Sequence, residues 1–342
     1  MSLALVQSEE SGKPEAKVSS ARLRAKLAAV VISCVISLIL GEVGLRLFMA
    51  KDFPIFQNEK NLLYRYDATL GWFPIPNTTN RVSDLRTIVA VHNSRSFRDV
   101  EDAGDGNKPR ILFLGDSYVW GYDAEVAERF TDKLQAKHPD WAVFNCGVSG
   151  YGTDQEFLLL QRFYDEYKPD LVFLVFCTEN DDADNHWNFR HESYYKPYYT
   201  TNEHGLELHG IPVPRSERAF FLGHPLLFRS YVVRLLVRVY CKLTTPPRKH
   251  VPTPTFGIIQ EMQKYLRARG TLLVVGLTKQ YPRLEAFLSQ IGISYVDFDA
   301  AEQYPLVGHW TPQGNNSVFE AIDRFLTGPE FTNRLSQRHP LH

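Results

Sequence analysis

The sequence predicts an α/β fold with a mostly parallel sheet, preceded by a transmembrane helix. Three observations predict it. Apolar runs at 111–114, 141–146, 170–177, 271–277 and 293–298 are each bounded by turn residues, as buried parallel strands are. Stretches of helical spacing separate them, which implies right-handed βαβ units. Near the N-terminus an uncharged run, 27–41, follows Arg22, Arg24 and Lys26.

Composition narrows the function classes. Of the residues 44% are hydrophobic and 23% charged, as in a globular protein, and the formal net charge of −1 supplies no field that would draw nucleic acid. Cys34, Cys146, Cys177 and Cys241 form no C-x-x-C pair, so no zinc ribbon, redox motif or disulfide framework is expected. Cys146 and Cys177 end apolar runs and read as buried thiols. No phosphate-binding glycine loop occurs, which disfavours nucleotide binding.

In order, residues 1–26 read as a disordered cytoplasmic tail and 27–48 as the anchor. The uncharged part is short against the roughly 20 residues a span needs, but apolar character resumes after Glu42. Glu42 and Arg46 lie four apart and can pair near the far interface. The leader is long and no small-x-small cleavage site follows, so an uncleaved anchor is expected. The basic cluster places the N-terminus in the cytoplasm and everything after about residue 50 on the other, periplasmic-type side. Residues 49–108 look irregular, with a turn cluster at 77–80 and a β-like piece at 86–92.

The main domain spans 109–328. Its first strand ends in Gly115-Asp116-Ser117, and a helix at 127–137 follows, with Phe130 and Leu134 on one face. The second strand ends in a turn containing Gly147 and Gly150. Thr153-Asp-Gln-Glu156 fits a capping box for the next helix. The third strand ends in Thr178-Glu-Asn-Asp181. An insertion, 182–255, interrupts the rhythm. It contains a hairpin at 194–211 turning at Asn202–Gly205, and a helical stretch at 226–243 with Arg234, Arg238 and Lys242 in a row. That stretch is either a lid or surface helix packed on the domain or one lying on a membrane. The last helix runs to about Leu326, and 329–342 is a C-terminal tail.

The polar strand ends suggest chemistry, because ligands in open α/β sheets gather at the carboxyl ends of strands. Acyl transfer to serine needs a hydroxyl, a base and donors for the oxyanion. Ser117 is the candidate nucleophile and His309 the candidate base. The backbone N–H groups of Ser117 and Gly150 and the Asn180 amide are candidate oxyanion donors. A cation site at Asp181, Asp182, Asp184 and Asn185 lacks the spacing and glycine of a calcium loop, and the stretch reads as a solvated loop near the substrate entrance. His186, His191, His204 and His209 lack a zinc spacing. Trp187, Tyr194, Tyr195, Tyr198 and Tyr199 fit either a sugar-binding wall or packing for the hairpin.

Taken together, Gly115-Asp-Ser117, Gly150, Asn180-Asp181 and His309 in its His-Trp-Thr-Pro-x-Gly setting resemble the SGNH (GDSL-type) hydrolases over about residues 108–328. The resemblance implies a flavodoxin-like three-layer α/β/α domain and esterase, deacetylase or lipase-like chemistry without metal or cofactor. It also suggests a membrane-anchored bacterial member acting on an acyl ester, such as an O-acetylated glycan. An O-acyltransferase using the same residues, or a degraded glycan-binding or scaffold protein, are the alternatives. Two positions depart from the pattern: Thr178 replaces a glycine, and Leu306 stands where the family has the aspartate that holds the histidine. Asp299 is the candidate orienter of His309, with Glu302 or a backbone carbonyl as substitutes.

Overall fold

The structure, a computed structural model, describes residues 20–53, 63–101, 108–190, 194–252, 254–305, 308–329 and 331. The polar stretch 1–19, the loop 102–107, His191, Leu306 with Val307, and the tail 332–342 lie outside them.

Five strands form the central parallel sheet: β5 (Arg110–Gly115), β6 (Ala142–Asn145), β7 (Leu171–Phe176), β12 (Leu272–Leu277) and β13 (Ser294–Asp297). Their spatial order is β13-β12-β7-β5-β6, the flavodoxin-like arrangement, so the chain reverses direction of travel between β5 and β7. Alternate side chains face opposite layers: Leu112 and Leu114 enter one apolar core, Ile111 and Phe113 the other. Helices α4 (Thr153–Tyr167), α8 (Thr255–Arg267) and α9 (Pro282–Ile291) cover the first face. Helices α3 (Phe130–Lys137) and α10 (Pro312–Leu326) cover the second. Phe130 and Leu134 are buried as the spacing predicts.

The segment read as irregular is more ordered than expected. β1 (Tyr64–Asp67) pairs with β2 (Gly71–Pro74), and β3 (Thr78–Ser83) with β4 (Thr87–His92), both antiparallel. The turn cluster at 77–80 is thus mostly strand; only Asn77, at φ 55°, turns. Leu63, Trp72, Phe73, Val82 and Ile88 join the main core, so this segment is part of the domain. In the insertion, β10 (Tyr198–Asn202) and β11 (Gly205–His209) form the expected hairpin, with Asn202 opposite Gly205.

Helix α1 (Ser20–Phe48) is long and apolar enough to cross a bilayer, with mean hydropathy 2.3 over its best window and none of that window buried. The expected Glu42–Arg46 pair forms at 2.7 Å. In the insertion, a short α5 (Asp181–Asn185) is followed by α6 (Glu217–Gly223) and α7 (Tyr231–Thr244), and α7 packs against α1.

Candidate active site

Ser117 follows the carboxyl end of β5, the strand flanked by β6 and β7 at the point where the strand order reverses. It opens a single helical turn, α2 (Ser117–Trp120). Asp116 caps that turn: its Oδ1 accepts the Tyr118 N–H at 3.0 Å, and Oδ2 accepts the Asn180 side-chain amide at 3.1 Å. Burial pushes the Asp116 carboxyl up, and these donors only partly offset it.

His309 lies just before α10. Its Nε2 is 3.0 Å from Ser117 Oγ, within reach for proton transfer. The loop around it is fixed at several points. Tyr304 N–H donates to the His309 carbonyl at 2.8 Å, and Tyr118 Oη to the Gly308 carbonyl at 2.6 Å. Trp310 is buried edge-on against Tyr118, Phe130 and Phe298. Thr311 accepts the Gly314 N–H at 3.0 Å and caps α10.

The group at the other ring nitrogen is one that the sequence reading missed. Nδ1 of His309 faces Asp123 Oδ2 at 3.2 Å. Asp299 is exposed, and its backbone N–H is bonded to Asp297. The carboxylate at the ring therefore comes from Asp123 and not from the residues just before His309. Asp123 reaches the ring because α2 stops after one turn: Gly121, at φ 80°, reverses the chain, and Asp123 itself sits at φ 59°. Two arginines hold that reversal. The buried Arg98 donates to the carbonyls of Trp120, Gly121 and Ala124 at 3.2, 2.6 and 2.8 Å. Arg86 donates through its backbone N–H to Asp123 Oδ1 at 3.1 Å and through its side chain to the Asp123 carbonyl at 3.1 Å. Burial pushes the Asp123 carboxyl up, but His309 and the Arg86 N–H outweigh it and hold it below the usual aspartate range. Asp84 is close by: the ligand atoms of Asp84, Asp123 and His309 all lie within 4.8 Å of one another. The signal available in the sequence was the run Gly115-Asp-Ser-Tyr-Val-Trp-Gly-Tyr-Asp123, with an acid two residues past a helix-ending glycine.

The residues that carry the candidate oxyanion donors follow β5, β6 and β7 at the same edge of the sheet. The 146–151 turn runs beside the nucleophile strand, with Val148 N–H bonded to the Gly115 carbonyl at 3.0 Å. Gly150 has φ 83°, a conformation that favours glycine. Gly147, in the same turn, is packed against the backbone of Val119 and Trp120. The Leu70–Phe73 region braces this turn, since Trp72 Nε1 donates to the Ser149 carbonyl at 3.3 Å. One Asn180 amide hydrogen is used by Asp116, which aims the group and leaves the second hydrogen available to a ligand.

Other expectations are corrected. Asp181 and Asp184 are buried in α5, not in a solvated loop; Asp181 Oδ2 accepts the Cys177 N–H at 2.8 Å and Arg190 pairs with Asp184. No capping box forms from Thr153 and Glu156: Gly152 caps α4, Gln155 Oε1 faces its N–H at 3.5 Å, and Glu156 is buried. Burial, with the nearby charges of Asp116, Asp154 and Asp184, pushes the Glu156 carboxyl well up. Tyr194 and Tyr199 are packed inward, the first against Trp72 and the second near Phe157, which favours the packing reading of that aromatic group.

A serine, a histidine and a carboxylate bonded in series at the switch point of a parallel sheet are the arrangement of a serine hydrolase. The sequence comparison agrees: residues 113–278 match the model of the GDSL-like Lipase/Acylhydrolase family, and the chain carries a domain of that family, a hydrolase acting on ester bonds. No curated protein matches the chain. Among solved structures it is similar to a GDSL-like lipase from Bacteroides thetaiotaomicron (15% identity, 64% of this chain and 87% of that one, TM-score 0.33). It is also similar to a psychrotrophic esterase from Pseudoalteromonas sp. (12%, 65% and 100%, 0.35). A third is a lipolytic protein of the G-D-S-L family from Veillonella parvula (13%, 64% and 98%, 0.38).

Proposed function

We propose that this protein is a membrane-anchored serine esterase or deacylase whose Ser117, His309 and Asp123 act as a triad on an acyl ester outside the cytoplasm. The observation that carries the reading is the unbroken series Ser117 Oγ to His309 Nε2 at 3.0 Å and His309 Nδ1 to Asp123 Oδ2 at 3.2 Å. Ser117 Oγ attacks the ester carbonyl carbon while its proton passes to His309 Nε2. The Ser117 and Gly150 N–H groups and the Asn180 amide receive the charge that develops on the carbonyl oxygen. Collapse expels the alcohol, which takes the proton from His309, and leaves the acyl group on Ser117. Water then attacks that ester, His309 takes the water's proton and returns it to Ser117 Oγ, and the carboxylic acid departs. Asp123 fixes the ring's tautomer and stabilises the imidazolium.

An O-acylated glycan is the substrate class proposed, and the α1 anchor with basic residues at its start supports an extracytoplasmic site. A sugar hydroxyl in place of water would make the same residues an acyltransferase; product analysis with an acetylated polysaccharide and an acceptor separates the two. A buried carboxylate at His309 counts against the degraded-site alternative although position 306 is leucine, while Thr178 still departs from the pattern. Ser117→Ala and His309→Ala are expected to abolish hydrolysis of a short p-nitrophenyl ester and, for Ser117→Ala, labelling by a fluorophosphonate. Activity retained in either variant would sink the assignment.

A further inference from the structure

Helix α7 is amphipathic in the wrong sense for a helix covered by water. Its inward side, Arg234, Val237 and Cys241, packs on Phe221, Phe228 and Phe53. Its outward side carries Leu236, Val239, Tyr240 and Leu243 at one-face helical spacing, with Leu236 63%, Tyr240 61% and Leu243 79% exposed. Just before the helix, Leu226 is 73% exposed. Bare apolar residues in such a contiguous stripe mark an interaction surface.

The position of this stripe indicates what covers it. The N-terminus of α7 is docked on the last turns of α1. Glu42 of α1 accepts from Ser230 Oγ at 2.9 Å and from the backbone N–H groups of Tyr231 and Val232 at 3.0 Å each, so a carboxylate of the membrane helix caps α7. Arg46 donates to the Arg229 carbonyl at 2.6 Å and lies over the Tyr231 ring at 4.9 Å. Val232 comes within 3.8 Å of the Cβ position at Gly41. These contacts fall inside the apolar length of α1, so α7 begins at the depth where a spanning α1 would leave the hydrocarbon. A charged pair placed there is costly unless its polar atoms find partners, and α7 provides them. Arg238 ties the same helix to the end of the anchor through the Asp52 carbonyl at 2.7 Å.

We propose that residues 226–244 are a second membrane contact: the Leu236–Leu243 stripe lies in the headgroup boundary of the bilayer that α1 crosses and seats the hydrolase domain on its surface. This rests on the anchor reading above. Tyr240 suits such a boundary, and the exposed Lys242 beside the stripe suits anionic headgroups. Continuity with the docked membrane helix favours lipid over a second copy or another protein.

Of the four cysteines only Cys34, within α1, is exposed. The test uses the full chain in phosphatidylcholine–phosphatidylglycerol vesicles. An environment-sensitive thiol dye is placed on native Cys34, or on Leu243→Cys or His204→Cys with Cys34→Ser. The expected result is quenching of the Leu243→Cys label by a phosphatidylcholine carrying a nitroxide high on its acyl chain. It is also expected to be protected from aqueous iodide, with the reverse at His204→Cys. Adding Leu236→Glu and Tyr240→Glu should restore iodide access at position 243. Iodide quenching at 243 with lipid quenching at Cys34 overturns the surface contact and leaves the anchor standing. Iodide quenching at Cys34 removes the anchor and the proposal together. A label at 243 shielded from both quenchers, with energy transfer between copies, assigns the stripe to a second copy and also overturns it.

Discussion

Asp123→Asn tests the site most sharply, because it removes one charge at an almost isosteric side chain. Asp123 is buried, and its Oδ2 is 3.2 Å from His309 Nδ1. When Ser117 gives up its proton the ring becomes cationic, and an opposite charge at about 4 Å in an effective dielectric near 20 is worth about 4 kcal/mol. Two effects reduce that loss. Asparagine can still accept from Nδ1, and Asp84 lies in the same cluster. The remaining loss of about 2–4 kcal/mol lowers kcat by roughly 30- to 10³-fold. The Michaelis constant should stay near the wild-type value, because the charge is stabilised in the transition state and not in the bound substrate. The assay is steady-state hydrolysis of p-nitrophenyl acetate by the full chain in detergent, with circular dichroism to show that the fold is kept. Asp299→Asn is the matched control and should be silent. A kcat for Asp123→Asn within about threefold of wild type, or a large loss in Asp299→Asn, would refute the assignment of the acid.

Three other perturbations follow from the same geometry. Asn180→Ala should cost about 10²–10³-fold in kcat, the usual loss for one oxyanion donor, and an unchanged kcat would remove Asn180 from the site. Gly121→Ala adds a Cβ about 2.4 Å from Arg129 Cδ at a residue with φ 80°. A stability loss of about 1–3 kcal/mol, read from the urea midpoint, should accompany reduced activity as Asp123 shifts. His92 is buried, and burial lowers its pKa to about 4 from the usual 6.5. The folded state therefore favours neutral His92, so its contribution is fully present above pH about 6.5 and falls as the pH drops toward 4, by about 2 kcal/mol at pH 5. Asp99, lifted to about 7 by burial, acts in the opposite sense, so the informative quantity is the difference between wild type and His92→Gln. The variant should lose less stability than wild type between pH 7 and 5 in chemical denaturation, and parallel losses would count against the assignment.

The central sheet was readable because a parallel strand buried on both faces is a continuous apolar run, as 171–176 shows with all six residues buried. Ser117, Gly150 and Asn180 were readable for the same reason, since strand ends locate themselves once strands are found. Of the β3–β4 pair, β4 was readable as the β-like piece at 86–92, but β3 was not, because it alternates exposed and part-buried residues and begins in a polar cluster that also fits a turn. Asp123 escaped notice because nothing local to it marks a partner of His309. Its place depends on a left-handed reversal at Gly121, which is held by Arg86 from the β3–β4 turn and Arg98 from the loop after β4. Similarly, α7 was recognised as a basic amphipathic helix, but only packing shows which side faces inward.

The proposed nucleophile and acid share one short stretch of chain, Ser117 to Asp123, while the histidine arrives from the far end of the domain. Two corners of the triad are thus set by one turn-and-reversal that forms with the first strand. Docking of the Gly308–Trp310 segment, alongside the Arg86 and Arg98 contacts that hold the reversal, completes it. Chains of similar design are better sought by the spacing Gly-Asp-Ser-x-x-x-Gly-x-Asp than by the residues preceding their histidine.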